Sequence, residues 1–199
     1  MCYYNTLISL LKGLIIKKTL QKRGVKMKGV IALCLKELVV SKFGQEKWQE
    51  ALKKAGIDKE PMILPVSDVD DKVFMKILNA VCDVLGISLA QAADAFGDYM
   101  VNVFSQKMYR AYYTACKSAK DFLLKMDQVH VEATKKMAGA RPPRFEYEWK
   151  DDKTLIMKYK SHRNLIDIMV GLIKGVGKYY KTDLKVSKLG PDKVQIVFP

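Results

Sequence analysis

The sequence predicts an α+β domain, mainly helical through its first half and closed by a small antiparallel sheet of about four strands. Three observations carry that expectation. Apolar residues recur at helical spacing from Ile31 to Met137. After Pro143 the period drops from about 3.6 to 2, as expected when the chain passes from helix to half-buried strand. Gly44, Gly56, Gly86, Gly139 and the Pro142-Pro143 pair punctuate the periodic stretches, while glycines 171, 175 and 177 thin one side of the last helix. With 199 residues, 49% hydrophobic and 28% charged, the chain can bury a sizeable single core, which excludes collagen-like and disordered classes.

Taken in order, Ile31, Leu35, Leu38 and Val39 mark a first helix that Gly44 stops, and Trp48, Leu52 and Ile57 mark a second ending near Gly56. A loop with Pro61 and Pro65 follows. Asp70 is positioned to cap a helix through Phe74, Ile77, Leu78 and Val81, closed by Gly86; Ser88 caps the next, to Phe96 and Gly97. Helical spacing resumes through Tyr99, Val103 and Phe104. Ser118 opens a longer helix expected to reach Met137, before Gly139 and the Pro142-Pro143 pair end it. Phe145, Tyr147 and Trp149 then alternate with charges, Asp151-Asp152 turns, and Leu155, Met157 and Tyr159 alternate again, a β-hairpin pattern. Asn164 is a candidate cap for an apolar helix through Leu165, Ile168, Met169, Leu172 and Val176. Strands near Leu184–Leu189 and Val194–Phe198 flank the turn Gly190-Pro191-Asp192.

The formal charge is +14, of which +6 lies in residues 1–26 (Lys12, Lys17, Lys18, Lys22, Arg23 and Lys26, with no acid). That leader has two readings. Residues 22–27 can be encoded by a purine-rich run ahead of an ATG, so a ribosome-binding site translated in frame would make Met27 the true start and 27–199 the whole domain. The rival is a basic amphipathic segment lying on a membrane surface. The apolar stretch Leu7–Ile16 is too short to span a bilayer, which takes about 20 residues. Cys2, Cys34, Cys82 and Cys116 lack the paired spacing of a zinc or redox site, so the expectation is a reduced, cytoplasmic protein.

Chemistry concentrates at two places. His130 shares its helix face with Leu123, Met126, Ala133 and Met137, and apolar surroundings disfavour the imidazolium. A neutral ring of that kind is either a metal ligand or a core histidine bonded to a backbone carbonyl. Tyr159, Ser161 and Arg163 fall at alternate positions, and on a strand they would project from one sheet face over about 13 Å. A phenol, a hydroxyl and a guanidinium suit carboxylates, although a polar strand end looks the same.

Tyr159-Lys160-Ser161-His162-Arg163 has the Tyr-x-Ser-x-Arg form of the haem nitric oxide/oxygen binding (H-NOX, HNOB) domain, the sensor module related to the haem domain of soluble guanylate cyclase. Met27-Lys28-Gly29 resembles that family's start, Met126-Asp127-Gln128-Val129-His130 its proximal-histidine helix, and Arg141-Pro142-Pro143-Arg144 its haem-packing proline segment. The resemblance extends from Met27 to Phe198. It implies the H-NOX fold with haem b held noncovalently between the halves, His130 as axial iron ligand, Tyr159, Ser161 and Arg163 on the propionates, and Pro143 pressing on the porphyrin. No Cys-x-x-Cys-His is present for covalent attachment.

In family members that bind oxygen stably, a tyrosine follows the motif; counting five residues past Arg163 gives Ile168 here. Ile31, Ile168, Leu172, Met100 and Phe104 are the expected distal pocket. An apolar wall suits nitric oxide and carbon monoxide, whereas bound oxygen needs a donor, so the expected function is a nitric oxide sensor that excludes oxygen. Tyr99, Tyr109, Tyr112 and Tyr113 are the alternative donors. The family mechanism weakens the bond from iron to His130 and shifts the helical half against the sheet half. Output would pass in trans to a histidine kinase or a cyclic-di-GMP enzyme. The rival class is a basic nucleic-acid or acidic-partner binding module without haem, but scattered lysines with no recognition motif read as solvated helix faces. Enzyme readings fare worse: His162 falls opposite the Tyr-Ser-Arg set, Asp151-Asp152 reads as a turn, and Asp68, Asp70 and Asp71 read as helix-capping acids.

Overall fold

The computed structural model describes residues 26–199, so the expectations for the leader fall on residues outside this description. Strand β1 (Lys26–Lys28) leads into helix α1 (Gly29–Phe43) and α2 (Gln45–Lys54). After the proline loop, β2 (Asp68–Asp70) pairs antiparallel with β1, setting Met27 opposite Val69. Helices α3 (Asp71–Leu85) and α4 (Leu89–Tyr99) follow, and α4 continues into a π-helical segment, Met100–Phe104, and a 3-10 turn, Ser105–Lys107. Three short helices, α5 (Arg110–Thr114), α6 (Ala119–Leu124) and α7 (Met126–Thr134), precede the hairpin of β3 (Arg144–Trp149) and β4 (Thr154–Lys160). Helix α8 (Ile166–Tyr179), β5 (Lys185–Lys188) and β6 (Lys193–Val197) complete the chain, and the sheet runs β3-β4-β6-β5, antiparallel throughout. The α+β architecture is as the sequence predicts.

Local signals explain most boundaries. The Asp70 carboxylate accepts from the N–H groups of Lys72 and Val73, and Gly86 closes α3 in the left-handed conformation at φ +64°. Ser88 and Gln91 form a capping box on α4, and Ser118 accepts from the N–H of Asp121. Asp151 folds the hairpin turn by accepting from the N–H groups of Lys153 and Thr154.

Four expectations need correction. The helix from Ser118 to Met137 is two helices broken at Lys125, and the second ends at Thr134. Asn164 is not a cap: it sits at φ +52°, a region asparagine tolerates, and Leu165 precedes α8 without a side-chain cap bond. Of the three acids at 68–71, Asp70 caps α3 and Asp71 lies in its first turn as expected, but Asp68 lies in β2 and pairs with Lys28. The helix expected to close near Gly97 runs on through it to Tyr99.

Two apolar clusters form the interior. One gathers Leu38, Trp48, Phe74, Leu78 and Phe96 from the helical half. The other joins Phe122, Leu155, Met157, Met169, Ile173 and Ile196, where α6 and α8 cover the inner face of the sheet. Leu165 and Leu172 touch both clusters, so α8 is the wall between them. On its other side α8 meets α4 backbone to backbone: a Cβ on Gly97 would stand 2.0 Å from the carbonyl carbon of Gly171, and one on Gly171 would stand 2.0 Å from the Ala93 oxygen. Ion pairs Lys174–Asp94 and Lys178–Asp98, at 2.7 and 2.6 Å, border this seam.

Candidate functional site

His130 lies on α7 with its Nδ1 2.9 Å from the carbonyl oxygen of Met126, one turn back. A carbonyl only accepts, so Nδ1 carries the proton and the lone pair is on Nε2. Burial pushes the imidazole below its ordinary range, with the Met126 bond and the Asp127 charge working weakly the other way. Both readings of this histidine therefore meet in one side chain: the carbonyl bond of a core histidine is also what prepares Nε2 as a neutral donor to a metal. The expected partner Leu123 lies across the break, on α6. An aromatic neighbour replaces it, since the Phe145 ring stands edge-on to the imidazole at 5.3 Å.

Asp127 fixes this helix to the sheet. Its carboxylate accepts two bonds from Arg144, at 2.8 and 2.7 Å, and one from the Phe145 N–H at 2.9 Å. Its own N–H donates to the Tyr147 hydroxyl at 3.2 Å. The Arg144 guanidinium beside Asp127 holds that carboxyl at about 2. Helix α7 is short and has no fully buried residue, so these polar ties do the positioning that apolar burial does for α3.

Tyr159 is buried on the inner sheet face, directly across from Phe145, with ring centroids 6.1 Å apart. Ser161 and Arg163 do not share that face, because β4 ends at Lys160. They lie in the turn between β4 and α8, where the Ser161 hydroxyl accepts from the Arg163 N–H. Arg163 reaches back toward the helical half: one terminal nitrogen donates to the Lys26 carbonyl at 2.8 Å and the other to the Arg141 carbonyl at 2.7 Å. Its Nε stands 2.9 Å from Oδ2 of Asp71, the first residue of α3. Pro143 is partly buried in a segment anchored on both sides, at Arg141 by Arg163 and at Arg144 by Asp127.

Ile31, Met100, Phe104, Ile168 and Leu172 all belong to or pack against the helical cluster, and Phe104 and Ile168 are buried. Of the tyrosines weighed as donors, Tyr99 packs against this cluster, whereas Tyr109, Tyr112 and Tyr113 belong to the sheet-side one. The Tyr113 hydroxyl is already bonded to Ser105 at 2.9 Å.

The donor set fits a haem. Among the described residues no group of three or more His, Cys, Asp or Glu side chains gathers to hold a bare metal ion, so a lone Nε2 suits an iron whose remaining ligands come from a porphyrin. Arg163 Nε is buried without an aligned hydrogen-bond partner, as is Oδ1 of Asp71. A haem propionate would offer this Nε an aligned carboxylate acceptor. Sequence reasoning missed Asp127, Phe145 and Asp71. The alternation of Phe145 with Glu146 and Tyr147 is the signal that places Phe145 inward; nothing local reveals Asp71, whose partner is far away in the chain.

Residues 28–188 match the Haem-NO-binding (HNOB) family model. The chain is 23% identical over 168 residues to soluble guanylate cyclase gcy-37 of Caenorhabditis elegans, covering 82% of this chain and 24% of the cyclase. For gcy-34 of the same organism the identity is 26% over 159 residues, covering 76% and 23%. The chain thus spans about a quarter of the length of these relatives. Among solved structures, an oxygen-binding H-NOX domain related to soluble guanylate cyclases matches with a TM-score of 0.73 at 27% identity, covering 86% of this chain and 95% of that one. An Fe(II) unliganded H-NOX protein mutant from K. algicida matches in fold, with a TM-score of 0.76 at 21% identity, covering 87% and 97%. The chain belongs to the haem-NO-binding family, as an H-NOX domain: a haem-based gas-sensor module and not a catalytic one.

Proposed function

We propose that this H-NOX domain binds haem b through His130, responds to nitric oxide and carbon monoxide, excludes oxygen, and passes its signal to a separate protein, a histidine kinase or a cyclic-di-GMP enzyme. The observation that carries the reading is the His130–Met126 bond, which leaves a neutral Nε2 in a half-buried setting. When bound, haem supplies a ferrous iron that takes a diatomic ligand. His130 Nε2 would hold that iron, and Asp127 and Phe145 keep the imidazole oriented. Tyr159 and Ser161 would donate hydrogen bonds to the propionates, Arg163 would neutralise them, and Pro143, in a segment anchored at Arg141 and Arg144, would pack against the ring.

Ligand choice would follow from the residues expected on the distal side. One structural relative is described as oxygen-binding, so the fold alone does not set selectivity. Ile31, Met100, Phe104, Ile168 and Leu172 carry no hydrogen-bond donor, and such a wall favours ligands that need none. The signal leaves through the joint between the halves, because α8 touches both apolar clusters and Arg163 ties the sheet side to β1 and α3.

The test is an absorption spectrum of the full chain, reduced under argon and then exposed to air or to nitric oxide. A Soret band that His130→Ala abolishes, no stable oxygen spectrum in air and a clear change with nitric oxide support the reading. Absence of haem after reconstitution sinks it, and a stable oxygen spectrum sinks the exclusion of oxygen.

A further inference from the structure

Two side-chain nitrogens approach one oxygen of Asp71. Its Oδ2 stands 2.9 Å from Arg163 Nε and 3.3 Å from His162 Nε2. The three residues join the start of α3 in the helical half to the turn that carries Ser161 and Arg163, so the cluster straddles the joint between the halves. Arg163 is committed elsewhere by its terminal nitrogens, on the carbonyls of Lys26 and Arg141, and its Nε is poorly aligned on Asp71. The Asp71 carboxylate is thus under-served: Oδ1 is buried and has no partner.

We propose that His162 is a proton-responsive clasp on Asp71, which tightens the tie between the helical half and the β4–α8 turn as pH falls. Histidine is the side chain whose ordinary titration crosses the physiological range. A neutral imidazole offers Asp71 at most one uncharged donor, while the imidazolium offers a charged one to a carboxylate that Arg163 engages off-axis. The charged group within bonding distance of the ring is Asp71 of α3, and Arg163 of the same turn reaches the same carboxylate. Lys26 and Arg141 enter through their carbonyls, and Lys160 is paired with Glu146 on β3. Asp70 is spent on capping α3, which leaves Asp71 as the acceptor.

A double-mutant cycle with His162→Ala and Asp71→Asn, in the full chain, isolates the contact. Unfolding followed by circular dichroism at about pH 5.5 and about pH 8 brackets the histidine titration. His162 is 42% exposed, so the expected coupling is modest, about 1–3 °C in the midpoint at the lower pH, and none at the higher. The cycle cancels the titration of His130, which all four proteins share. A coupling absent at the lower pH, or as large at the higher, overturns the proposal. Because circular dichroism reads the fold and not the cofactor, this test can fail while the gas-sensor reading stands, and the reverse.

Discussion

The imidazole of His130 donates from Nδ1 to the carbonyl oxygen of Met126 at 2.9 Å, within a helix of only nine residues. That one bond fixes the tautomer and faces the lone pair of Nε2 away from the helix backbone. The ring is thereby left with an unprotonated Nε2 in the folded chain.

Acid should therefore release the cofactor. The His130 pKa in the folded protein lies below its ordinary value of 6.5, so the neutral ring is fully present above that value and is lost as pH falls through the lower one. Haem retention, read from the Soret band, is expected to hold at neutral pH and decline on acidification below the ordinary histidine range. His130→Ala should abolish it at every pH.

Asp127→Asn should loosen α7. The carboxyl is held at about 2 against an ordinary 3.8, so its contribution is present above the ordinary value and disappears as pH falls through about 2. Arg144 is 58% exposed, and solvent screening limits the loss to about 1 kcal/mol at neutral pH. Urea unfolding of both proteins checks this: the gap should close between pH 4 and 2, where the native carboxylate itself becomes protonated.

Gly97→Ala should be costly out of proportion to one methyl. The new Cβ would meet backbone atoms of Gly171 and Leu172 at 2.0–2.4 Å, and backbone moves only if α4 and α8 separate. A loss of about 3 kcal/mol is expected in chemical denaturation. An alanine at Gly56, where no atom lies within 4 Å, tests backbone strain alone and should cost less.

Ile168→Tyr would place a hydroxyl in the apolar wall. Ile168 is 8% exposed, so the larger ring costs about 1–3 kcal/mol of stability. The expected gain is a stable oxygen spectrum in air, which the parent protein is expected not to show. If the parent already shows one, a donor such as Tyr99 reaches the pocket.

Much of this protein is legible in its residues. The helix caps at Asp70, Ser88 and Ser118 and the hairpin turn at Asp151 are local devices, set by side chains bonding to backbone a few positions away. The two-residue period that places Tyr147, Leu155 and Met157 on the inner face is equally local, as is the apolar stripe around His130. These determined the fold class and the residues on which the family resemblance rests.

Other features are nonlocal, and the tertiary structure alone decided them. The ribbon of β1 and β2 escaped notice because three-residue strands have too little period to read, and each exists only by pairing with the other. The helix break at Lys125 interrupts a continuous apolar pattern. Ser161 and Arg163 share a polar alternation with Tyr159, but β4 ends before them, and Arg163 turns to partners at Lys26, Asp71 and Arg141. Periodicity reports which face of an element is apolar; it does not report which distant carboxylate or carbonyl a guanidinium finds. That choice depends on distances fixed only when the two halves pack together.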